Sequence, residues 1–195
     1  MTIQRKYFFD SVRGSLFGGS LNQGQVDGLN YILDYAEGDG TDDRHLAYIL
    51  ATTFHETAQT MQPIAEYGKG KGKPYGVPDP TTGQTYYGRG FVQLTWKDNY
   101  QKQDNKLGLN GQLVKDADLA MDPSIALQIL FGGMYDGDFT GVGLPKYITC
   151  TDPSSDTTDF YNARKIVNGL DCASMIQGYA GLFANALAHA MTQEV

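Results

Sequence analysis

The chain has 195 residues, of which 41% are hydrophobic, and its 13 tyrosines, 9 phenylalanines and 24 glycines describe a folded domain with many shaped turns. A formal charge of −7 opposes sequence-independent attraction to nucleic acid or anionic lipid, which depends on clustered Lys and Arg. Two cysteines, Cys150 and Cys172, cannot form a disulfide framework and are expected to be free thiols.

Residues 1–10 carry Arg5 and Lys6 but no sustained apolar run with a small-residue cleavage site, so no signal peptide is expected. No stretch of about 18 apolar residues suggests stable membrane insertion. Phe8, Phe9, Val12 and Leu16 recur at helical spacing, as do Val26, Leu29, Leu33 and Ala36, predicting two amphipathic helices that stop at Gly18 and Gly38. A third is predicted over residues 43–58, with Leu46, Ile49, Leu50 and Phe54 as its apolar face.

Glu56 falls near the end of that helix on the same side as Ile49, Thr52 and Thr53. Partial desolvation there would favour the protonated carboxyl, the state a general acid needs; the alternative is a solvated helix-end glutamate. His55-Glu56 does not begin a zinc-protease motif, because position 59 is Gln where a second His is required, and no metal or cofactor is expected.

Residues 60–84 lose periodicity and read as a long loop of the kind that carries function. Within it, Glu66 is followed by Lys69, Lys71 and Lys73, cations expected to keep its carboxylate ionised, and alternatively only a loosely paired surface charge. One protonated and one ionised carboxyl about 6.5–9.5 Å apart is the arrangement inverting glycoside hydrolysis requires.

Residues 85–95 form an aromatic and β-branched segment around Gly88 and Gly90, predicting a β-hairpin on which Gln93 and Thr95 share one side. There an amide and a hydroxyl could hold water or an acetamido group, and the tyrosines and Trp96 could stack on pyranose rings or serve as core. Asp122-Pro123 reads as the cap and first residue of a helix running to Met134. Residues 149–159, rich in Thr, Ser and Asp, read as a surface loop, and helices are predicted over 159–167 and 171–191.

His55-Glu56-Thr57, a loop glutamate, and Tyr86-Tyr87-Gly88-Arg89-Gly90 leading through Gln93-Leu94-Thr95 to Asn99-Tyr100 resemble glycoside hydrolase family 19, the chitinase-like class. Leu16-Phe17-Gly18-Gly19, Gln25-Val26-Asp27, the stretch from Gly133-Met134 to Phe139-Thr140-Gly141-Val142-Gly143, and residues 164–169 are similar to its bacteriophage endolysin branch. The resemblance implies a mainly α, lysozyme-like α+β fold: a bilobal helical body over residues 1–195 with a small lobe at about 60–95, a small β-hairpin and a substrate groove.

It further implies an inverting mechanism with Glu56 as acid, Glu66 as base and Thr95 holding the nucleophilic water. Gln93, Asn99 and Asn168, with Tyr87 and Arg89 of the hairpin, would bind substrate. Plant members place an arginine in the last helix to organise the acid, whereas Met175-Ile176-Gln177-Gly178-Tyr179 contains no cation. The implied substrate is the peptidoglycan strand, cut between N-acetylmuramic acid and N-acetylglucosamine by a monomeric enzyme. That enzyme would reside in a host cytoplasm until released to the wall, or travel on a virion. Chitin hydrolysis and a non-catalytic glycan-binding module are the alternatives.

Overall fold

The computed structural model describes residues 2–152 and 154–191, so Met1, Pro153 and the last four residues lie outside the description. Seven helices are present among the described residues: α1 (Arg5–Ser15), α2 (Gln23–Asp39), α3 (Asp43–Glu56), α4 (Lys97–Leu107), α5 (Gln112–Lys115), α6 (Pro123–Asp136) and α7 (Ala173–Met191). Two short strands, β1 (Ile64–Ala65) and β2 (Arg89–Gly90), pair antiparallel with Ile64 opposite Gly90 and Ala65 opposite Arg89. The architecture is the mainly α, lysozyme-like α+β fold expected from the sequence.

The body is built around α3. Every residue from His45 to Phe54 is buried, polar His45, Thr52 and Thr53 included, so α3 is enclosed on all sides rather than along the single predicted face. Helix α7 packs along it and also along α1. Ala180, Ala186 and Ala190 let the backbones approach, while Phe183 stacks on Phe8 at 6.4 Å and meets Phe54 edge-on at 6.0 Å.

Local chemistry sets the helix ends. Asn22 and Gln25 form a reciprocal capping box on α2, and Gly40 closes it in the left-handed conformation. Asp122 caps α6, with Pro123 in its first turn and left-handed Gly137 at its end. Gly28 in α2 lies directly under the turn that follows α3: a Cβ there would fall 1.6 Å from the Met61 carbonyl oxygen.

Two expectations are corrected, and one helix has no counterpart in the sequence reading. Residues 85–95 do not form a self-contained hairpin: β2 pairs with β1, and the reversal that follows is a tight turn closed by Arg89 and Leu94. The segment expected to be helical over 159–167 is a 3-10 turn, Asn162–Ile166, whereas the helix expected over 171–191 is present from Ala173 to Met191. Helix α4 was not anticipated, because its sequence KDNYQKQDNKL has no apolar period; it buries Tyr100, Gln103 and Asp104, and Asp104 accepts the amides of Gly111 and Leu113. Residues 149–152 and 154–159 fold back through a bridge between Ile148 and Thr158. No described helix is long and apolar enough to cross a membrane.

Candidate active site

Helix α3 delivers Glu56 as its last residue, at the point where the enclosed helix reaches a cleft of about 470 Å³. Thr57 fixes the exit: its buried hydroxyl donates to the Thr53 carbonyl at 2.7 Å and accepts the Met61 amide at 3.1 Å. The chain then turns through Ala58, Gln59 and Met61, all with positive φ, a concentration of backbone strain beside the candidate acid.

The Glu56 side chain is 16% exposed, and one of its oxygens accepts a 2.7 Å hydrogen bond from Nη1 of Arg164. Arg164 is itself 2% exposed and donates through Nε to the Asp171 carbonyl, so its fork is fixed between the acid and the backbone that leads into α7. The cation absent from residues 175–179 is therefore supplied by the 3-10 turn before the last helix. The cation thus lies one element earlier than the last helix, and Arg164 is the only arginine after Arg89. The neighbour that defines Glu56 is this guanidinium rather than an apolar wall.

The cleft is lined by Glu56, Gln93, Thr95, Asn99 and Asn168, with Tyr75 and Trp96 among its aromatic residues. The Tyr75 and Trp96 rings meet edge to face at 5.1 Å, and Trp96 is half exposed, leaving ring surface for a sugar. Gln93 and Trp96 adopt left-handed φ of 55° and 75°, so a tight turn rather than strand alternation aims them. The Gln93 amide donates to the carbonyls of Ile64 and Gly90. Thr95 donates to the Gln93 carbonyl at 2.8 Å, which leaves its oxygen lone pairs to accept from water or substrate, and Asn99 donates to the Thr95 carbonyl.

Glu66 follows β1, half-buried, with its amide bonded to the Gly88 carbonyl. Its two oxygens accept the backbone amides of Gly70 at 2.8 Å and Gly88 at 3.0 Å. Among the described residues no lysine lies within ion-pair distance of it, so backbone amides replace the cations expected from the sequence. A Cβ at Gly88 would lie 2.8 Å from Gln93 Oε1 and 3.2 Å from Glu66 Oε2, which places the base candidate and a cleft-lining amide on either side of this glycine. Burial, and then the Glu66 charge, pushes the Tyr75 hydroxyl above its ordinary value, so Glu66 acts electrostatically on a residue of the cleft wall although it is not itself in that wall.

Tyr87 and Arg89 do not line the cleft. Arg89 is 3% exposed, stacks on the Tyr87 ring at 3.6 Å, and bonds Asp118, the Thr85 and Tyr87 carbonyls and the Tyr100 hydroxyl. These residues brace the turn that presents Gln93 and Thr95. Both cysteines are free, and burial together with Asp42 pushes the Cys150 thiol up to about 12, away from nucleophilic chemistry. Among the described residues no cluster of three His, Cys, Asp or Glu side chains could hold a metal.

Chitinase C from Streptomyces griseus HUT6037 superposes with a TM-score of 0.54 at 22% identity, over 98% of this chain and 95% of that one. The chain has the chitinase fold. A mutant of chitinase C matches equally, with a TM-score of 0.53, 22% identity and coverage of 98% and 93%. In sequence, an endochitinase of Arabidopsis thaliana is 37% identical over 90 residues, which is 44% of this chain; the match spans only 30% of the endochitinase. No protein-family model matches the chain.

Proposed function

We propose that this chain is an inverting glycoside hydrolase that cuts β-1,4 bonds between N-acetylmuramic acid and N-acetylglucosamine in peptidoglycan. The observation that carries the reading is a pair of differently held carboxyls, Glu56 in the wall of the cleft and Glu66 across Gly88 from the cleft-lining Gln93. Glu56 rests on the buried Arg164 guanidinium, and Glu66 has both oxygens on backbone amides. A module that only bound glycans would need neither.

In this mechanism Glu56 gives its proton to the glycosidic oxygen as the bond to the anomeric carbon breaks. Water attacks that carbon from the opposite face, and Glu66 takes the proton the water releases. The Thr95 oxygen, bonded only through its hydrogen, accepts from the water and orients it. Arg164 stabilises the anion that Glu56 becomes, an interaction stronger in the transition state than before it. Gln93, Asn99 and Asn168 hold the sugar amides and hydroxyls, and Trp96 stacks on a ring.

Glu56→Gln tests the assignment. It is expected to lower turnover by about 10²–10⁴-fold while folding and glycan binding persist; unchanged turnover would remove Glu56 from the mechanism. The likeness to chitinases favours a second reading, hydrolysis of chitin, a neutral polymer that an acidic protein meets without repulsion. Mass analysis of products from purified sacculi beside chitin oligomers separates the two, and cleavage of chitin alone would sink the peptidoglycan reading. Action as a monomer, and release to the wall from a cytoplasm or carriage on a virion, belong to the same proposal.

A further inference from the structure

The loop between Glu66 and the cleft carries charge of the wrong sign for the rest of the molecule. From Tyr67 to Pro78 the sequence contains Lys69, Lys71 and Lys73 and no acidic residue, in a chain whose formal charge is −7. All three lysines are exposed, and none forms an ion pair with a described residue; Lys115, Lys146 and Lys165 are likewise without a described ion pair but stand singly along the chain, whereas these three recur at every second position. A run of three unneutralised cations is not what an acidic surface leaves by default.

The loop is also rigidly built. Successive turns close it, with the amides of Lys69, Lys71 and Lys73 donating to the carbonyls of Glu66, Gly68 and Gly70. Glu66 bonds the Gly70 amide, and Gly70 lies against Gly76 so closely that a Cβ on Gly76 would fall 1.9 Å from the Gly70 oxygen. Lys69 holds a φ of 44°, a conformation a glycine or asparagine would take at lower cost. Two residues beyond Lys73, Tyr75 lines the cleft. The lysines thus sit on a fixed ridge that starts at the candidate base and ends at the cleft wall.

We infer that Lys69, Lys71 and Lys73 form a docking ridge for carboxylates carried by the glycan strand, and that they select an anionic polymer over a neutral one. This rests on the glycosidase reading of the adjacent cleft. In peptidoglycan the carboxylates are those of the lactyl groups and stem peptides. The ridge offsets locally the repulsion that the net charge imposes globally, and raises the encounter rate most at low ionic strength.

The test uses one backbone in two charge states, glycol chitin and carboxymethyl chitin, together with teichoic-acid-free sacculi. In K69Q/K71Q/K73Q, the ratio of kcat/KM on carboxymethyl chitin to that on glycol chitin is expected to fall on the order of tenfold at low salt and to converge with the parent at high salt. The triple arginine variant should retain the parent ratio, which a purely structural role for lysine would not produce. An unchanged ratio in the glutamine variant, or an equal loss on both polymers at every salt concentration, would overturn the ridge. Wild-type inactivity on sacculi with activity on both chitins would instead overturn the peptidoglycan assignment, while the ratio still reports on the lysines.

Discussion

The interaction that most constrains the site is the contact between Arg164 and Glu56. Removing one partner of a buried ion pair costs about 3–5 kcal/mol, because the survivor is left desolvated and alone. Solvent reaches part of Glu56, so Arg164→Met should cost roughly 2–3 kcal/mol of unfolding free energy, read by urea denaturation, and should lower kcat as well. Arg164→Lys keeps the charge but cannot reach Glu56 and the Asp171 carbonyl with one rigid fork, and is expected to recover stability better than turnover. At this scale the order of motifs in the sequence singled out Glu56, Gln93, Thr95, Asn99 and Asn168, which all line one cleft, and Glu66, which lies beside it across Gly88. It misplaced Tyr87 and Arg89, because a buried, stacked guanidinium and one facing a groove have the same spelling. The partner of the acid was hidden by distance, for Arg164 lies 108 residues away.

Among the elements, the geometry of the acid depends on how α2 meets the turn after α3. Gly28→Ala would drive a methyl group into the Met61 carbonyl, a backbone atom that cannot swing aside. The expected cost is about 3 kcal/mol, and because Met61 ends the turn that begins at Glu56, kcat/KM should fall in the same variant; an unchanged melting temperature would refute the contact. Helices with apolar periodicity were legible: α1, α2, α3 and α6 begin and end within a few residues of their expected limits. Helix α4 was not, since its stability comes from buried polar groups such as Asp104 and Gln103. Strand β1 was likewise hidden, because two residues carry no period and their partners are 26 and 24 residues away along the chain (Ile64 to Gly90, Ala65 to Arg89).

The whole molecule should be acid-labile. Lys97 holds the Asp79 carboxyl down to about 2. At Asp138 burial would raise the value, but Lys106, Gln103 and Lys102 outweigh it, and at Glu37 burial is likewise outweighed by Arg5 and the Ile3 amide. For a carboxyl lowered in the folded state, the stabilisation is complete above the unfolded value near 4 and is lost as pH falls through the folded value. Asp43, raised by burial and by neighbouring Asp42, acts in the opposite sense, but fewer groups are shifted that way. The melting temperature is therefore expected to hold near neutral pH and to drop between about pH 4 and about pH 2, followed by calorimetry.

The link from Glu56 to Arg164 also has a consequence in time. A ribosome releases α3 long before the turn that holds Arg164, and α7, which flanks α3, comes later still. A nascent chain can present the acid without its guanidinium, in a helix whose neighbour has not yet been made. The constellation closes only when the C-terminal third arrives, so an interrupted translation product carries Glu56 and Glu66 but not the arginine that bonds Glu56. Assembly of the proposed site and completion of the helical body are, in this architecture, the same event.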